Sequence, residues 1–229
     1  MANTEQKAEK LNISELVVDG IQKNRKVLII GGIVVLVLLL GFAAGLSIRD
    51  AVTVAAIKEV EAFNDRYEEI RFDINDPAKE EEVNALLDEV SAYASKTFGY
   101  SRIRAFMLTA SIHADRKNWQ EAEDAWVQAA QKGGKAYLVP VSLFNAAVAA
   151  EEGGNIEGAI VHYTEVLVYA DSFPQAAKAQ FSIGRLREEQ QDTDAALEVY
   201  RVLLEKWPNE TTWINLANSR IIALSGLNS

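Results

Sequence analysis

Two histidines, His113 and His162, are the only imidazoles this chain has for metal binding or acid–base work, and it has no cysteine. A catalytic metal needs His or Cys joined by carboxylates at ligand spacing, as in HExxH, and neither histidine stands in such a setting. Glycosidase chemistry needs two carboxylates facing one bond. The acidic pairs Glu151-Glu152 and Glu188-Glu189 fall at the ends of expected helices and read as solvated faces. A phosphate cradle needs a glycine-rich loop opening a helix. Here Gly31-Gly32 lies inside an apolar run, and Gly133-Gly134 and Gly153-Gly154 close helices. Without cysteine there is also no disulfide, thiolate site or lipid-bearing lipobox. The sequence therefore predicts no enzyme, no metal and no cofactor.

Charge narrows the partners. The formal net charge is −10, and residues 1–26, with five basic and four acidic groups, leave −11 on the remainder. Such a surface repels phosphate backbones, so nucleic acid is excluded and proteins are expected.

The elements come from two patterns. Residues 27–46, VLIIGGIVVLVLLLGFAAGL, are twenty uncharged residues, enough at about 1.5 Å each to span a hydrocarbon core of about 30 Å. A signal peptide would have a shorter apolar core, about 7–15 residues, although Ala43-Ala44-Gly45 would serve as its cleavage site. The length favours an uncleaved anchor. Lys23, Arg25 and Lys26 crowd its N-terminal flank while Arg49 stands beside Asp50 on the other, which predicts a cytoplasmic N-terminus and the rest outside the cytoplasm. Gly41 and Gly45 form a GxxxG that could seat a second membrane helix, including one from another copy of the chain. Ahead of the span, Leu11, Ile13, Leu16, Val17 and Ile21 make a loose stripe, read as a helix resting at the membrane surface.

The second pattern recurs every 37 residues. Asn118-Trp119-Gln120-Glu121-Ala122 leads to Trp126, Asn155-Ile156-Glu157-Gly158-Ala159 to Tyr163, and Asp192-Thr193-Asp194-Ala195-Ala196 to Tyr200. Twelve residues before each alanine stand Ala110, Ala147 and Gly184. Small residues at those six places let the two helices of a hairpin cross closely, and the rings of Trp126, Tyr163 and Tyr200 are expected to pack against the next hairpin. One hairpin cannot bury its apolar face alone, so three or more must stack. Upstream, no Gly or Pro interrupts 47–75, and Asp76-Pro77 signals a stop and restart.

This pattern resembles the tetratricopeptide repeat, W-x2-L-G-x2-Y, then A-x3-F, then Pro. The A-x3-aromatic half matches in all three units, the glycine only at Gly184 and the proline only at Pro208; His113, Ala150 and Arg187 stand where the family has Tyr. The resemblance implies an all-α chain: a transmembrane helix, then a right-handed tetratricopeptide-repeat α-solenoid closed by a capping helix. The expected segments are a cytoplasmic 1–26, a span 27–46, a degenerate hairpin 47–99, three repeats 100–208 and a cap 209–229. The whole layout also resembles the ancillary subunit of the bacterial Sec translocon, through Ile21-Gln22-Lys23-Asn24-Arg25-Lys26 running into the span and the ending Asn218-Ser219-Arg220-Ile221-Ile222-Ala223-Leu224-Ser225.

In the tetratricopeptide family the inner wall comes from positions three before and one after the small crossing residue. Here these are Met107, Phe144 and Phe181, then Ser111, Val148 and Arg185. The first column is either a partly exposed apolar groove or core; the recurrence of Phe favours the groove. The resemblances imply an inner-membrane, periplasm-facing scaffold for translocon subunits, periplasmic chaperones or client chains. An envelope-assembly or division adaptor with no link to export is the alternative, and an enzyme the remote one.

Overall fold

The computed structural model describes residues 21–134 and 137–227, so the stripe at Leu11, Ile13, Leu16 and Val17 lies outside them. The chain divides into two units, Met1–Val54 and Ala55–Ser229. Among the described residues all regular secondary structure is helical.

Helix α1, Arg25–Ile70, carries the described part of the first unit. Every residue of 27–46 is exposed, and α1 is long and apolar enough to cross a membrane. Gly41 and Gly45 have open space where a β-carbon would stand.

The second unit begins with the last turns of α1. A 3-10 turn, Arg71–Asp73, ends that helix, and the Asp76 carboxylate accepts from the Ala78 N–H at 2.9 Å to start the next. After a turn at Pro77–Lys79, α2 runs Glu80–Lys96 with three glutamates in its positive first turn. Then come α3 Gly99–Asp115, α4 Trp119–Gly133, α5 Leu138–Glu152 and α6 Ile156–Val166. Last are α7 Ala176–Glu189, α8 Thr193–Lys206 and α9 Thr211–Leu227. From α2 onward each helix packs on the next in chain order.

The 37-residue register shows most clearly in the turns. Lys117, Gly154 and Gln191 all adopt positive φ, at 61°, 79° and 62°. The following N–H, of Asn118, Asn155 or Asp192, reaches back to the carbonyl of His113, Ala150 or Arg187 at 2.7–2.9 Å. These are the bonds of a Schellman ending. Asn155 and Asp192 then cap the next helix, accepting from Gly158 and Ala195 at 3.1 Å, whereas Asn118 makes no such bond.

Between the helices of each hairpin, Ala110, Ala122, Ala147, Ala159 and Ala196 are fully buried. In the α1–α2 hairpin those places fall on Asp73 and Ala85, and rings pack between the helices: Phe63 meets Tyr93 edge-on at 5.5 Å, and the Tyr93 hydroxyl donates to the Ala56 carbonyl at 2.6 Å. At the other end Trp213 of α9 stacks on Phe181 at 5.5 Å and Ala217 is wholly covered.

Candidate partner-binding cleft

Between α5–α6 and α7 the Tyr163 hydroxyl donates to Glu151 at 3.4 Å, and Arg185 of α7 closes on the same carboxylate at 2.6 Å. One register later the Tyr200 hydroxyl donates to Glu188 at 2.5 Å, and Arg220 of α9 forks onto Glu188 through Nε and Nη2. Tyr, Glu and an Arg from the next helix thus form a clasp at each of these two interfaces. Burial pushes the Tyr163 phenol up to about 12, and burial followed by the Glu188 bond raises Tyr200 further, so both remain donors. The Arg220 hydrogen bond, ahead of opposing desolvation, holds Glu188 below the usual carboxylate range.

The clasp is missing from the first interface. There the register places Ala114 for the glutamate, Trp126 for the tyrosine and Val148 for the arginine. All three line a half-open cleft of about 280 Å³. Val60, Met107, Leu108, Trp119 and Ala149 add to its apolar part, and Asn64 of α1 and Asn145 of α5 stand among its polar lining groups. Nearby, Asp115 accepts from the Tyr67 hydroxyl at 2.5 Å and from Arg71 at 3.0 Å, so its charge is engaged.

The residues singled out from sequence separate. Met107 and Phe144 are 9% and 5% exposed, not the partly open column expected for a groove. Phe144 is enclosed by Tyr163 at 5.4 Å and by Phe173 at 6.0 Å, a ring from the α6–α7 connection that lies outside the repeat register. Phe181 is half-buried, pinned between Tyr200 and Trp213. Val148 is half-buried in the cleft, while Arg185 is spent on Glu151. The rings of Tyr163 and Tyr200 meet Phe144 and Phe181 of the first helix in their own hairpins, not the next hairpin alone. Glu151 and Glu188, expected as solvated faces, are the clasp carboxylates. Their spacing of twelve from each tyrosine, and its breakdown to Ala114 and Trp126 together, is the sequence signal that marks them.

The histidines take structural places. His162 sits between Glu123 at 3.0 Å and Glu165 at 3.4 Å, and Asn155 donates to Glu123 at 3.3 Å. His113 is half-buried with Nδ1 unpartnered, and desolvation lowers its pKa.

Comparison with known proteins agrees with the helix pairs. Residues 144–211 match the tetratricopeptide repeat family profile. A "TPR repeat-containing protein" of Treponema pallidum (strain Nichols) is 35% identical over 144 residues, 62% of this chain. The match spans 59% of that protein's length, less than two thirds of it. Crystal structures of nearly identical TPR-like repeats from Podosopora anserina share the fold. One superposes with a TM-score of 0.55 at 16% identity over 74% of this chain and 88% of that one. A variant form of those repeats gives 0.50 at 12% identity over 71% and 86%. Residues 144–211 thus carry tetratricopeptide-like repeats within an all-helical fold of stacked hairpins.

Proposed function

We propose that the chain is a single-pass anchored scaffold whose repeats stand on the periplasmic side of a bacterial inner membrane and hold partners for protein export. The observation that carries this reading is the exposure of all twenty uncharged residues of 27–46 within α1, the same helix that buries Val60 and Tyr67 in the repeat unit. An apolar surface of that length without protein cover calls for lipid. Lys23, Arg25 and Lys26 on its N-terminal side support an outward-facing array. The layout's resemblance to the ancillary translocon subunit supplies the link to export, and the cleft supplies a place for a client or chaperone.

The test is purification of the full chain from membranes in mild detergent after brief crosslinking. Translocon subunits and periplasmic chaperones among the captured proteins support the reading. Division or wall-synthesis proteins in their place would move it to envelope assembly. A reporter fused after residue 229 that is active only in the cytoplasm would overturn both.

A further inference from the structure

We propose that the cleft between α1, α3 and α5 receives one aromatic side chain of an extended, positively charged polypeptide segment. This names the kind of client that the scaffold reading leaves open, and depends on that reading only for where such chains are met.

At the next interface the chain fills this register position itself, with Arg185 closing on Glu151, and at the last interface Arg220, two residues before the register place, closes on Glu188. At the first, Ala114, Trp126 and Val148 replace all three members, and the place they vacate is the cleft. A cavity of about 150 Å³ lined by apolar groups takes a benzene ring, so about 280 Å³ admits a phenyl or indole side chain with its stem. Met107 and two indoles offer the thioether and edge-on contacts that aromatic rings favour.

The polar groups fit a main chain. Asn64 and Asn145 line the cleft half-buried, and neither carboxamide makes a side-chain hydrogen bond among the described residues. Each carboxamide offers both a donor and an acceptor, which is what an extended backbone requires. Arg104, also at the cleft, has its Nε buried without an acceptor, and a client carbonyl would supply one. The charged groups here are already matched: Arg71 holds Asp115 and Glu68, and Arg104 reaches Glu61. The sign of the client is therefore set by the wider field. Beyond residue 26 the chain carries −11, which draws in basic flanks.

The experiment uses the full chain in phosphatidylcholine nanodiscs and a fluorescein-labelled nonapeptide with a central Phe between lysines, read by fluorescence anisotropy. Two variants close the cleft. Val148→Arg occupies it, and Ala114→Glu with Trp126→Tyr and Val148→Arg installs the whole clasp. Binding should weaken at least tenfold in both while the helical circular dichroism melt is retained. Replacing the peptide's Phe by Ala, or its lysines by glutamates, should have the same effect. Unchanged binding by a folded Val148→Arg protein, or equal binding by empty nanodiscs, overturns the proposal. Neither result bears on the topology reporter, so failure here is separable from failure of the scaffold reading.

Discussion

The ring of Tyr200 lies so close over Gly184 that a β-carbon added there would stand 2.5 Å from Cε1. The two earlier crossings tolerate Ala110 and Ala147, so glycine at the third follows from the ring above it rather than from backbone conformation. Gly184→Ala should force Tyr200 or helix α7 to shift and destabilise the protein by about 1–3 kcal/mol, as overpacking does. A lowered melting temperature by circular dichroism checks this. Pairing it with Tyr200→Leu should give less than the sum of the two single effects.

Phe144 belongs to the core. Phe144→Ala should cost about 3–5 kcal/mol. Phe181→Ala, from a half-buried site at the last interface, should cost less and loosen α9 first. Urea unfolding of each variant reads the first difference, and hydrogen exchange of α9 the second.

The caps provide an internal control. Asn155→Ala removes the bond to the Gly158 N–H and a donor to Glu123, and should destabilise by about 0.5–2 kcal/mol. Asn118→Ala, at the same register place but without a cap bond, should be near neutral. Equal losses in thermal melts would contradict this difference.

The clasp at Glu188 should respond to acid. Its folded pKa lies below the ordinary 4.5, so the native state binds the proton less readily than the unfolded chain. The stabilisation is therefore fully present above the unfolded value and fades as pH falls through the folded one. Wild type and Arg220→Ala should differ in melting temperature at pH 7 and converge on acidification below about 4.5, the unfolded value. A difference that persisted at pH 2 would mean that Arg220 acts by packing alone.

The hairpins are legible because their signals are local: Asp76-Pro77 marks a helix start, and six small residues fix the crossings. The clasps depend on side chains twelve and about thirty-three positions apart, so they are visible only when the units are aligned column by column. The core position of Phe144 escapes the sequence for a related reason. Its burial depends on Phe173, contributed by a connection whose path the repeat period does not specify. The cleft is hidden more deeply still, since it arises from three absences in one register and from a helix, α1, that lies outside the repeat.

The shared left-handed turns at Lys117, Gly154 and Gln191 make the array extensible. A duplicated 37-residue block inserted at such a turn would find the backbone path it already uses. A copy of 155–191 placed after Gln191 would set its own Tyr163 and Arg185 against Glu188 and join by another clasp. A copy of 118–154 placed after Gly154 would bring Trp126 and Val148 and leave the new interface without the clasp's tyrosine and arginine. Lengthening by gene duplication can thus add either rigidity or docking places, according to which block is copied.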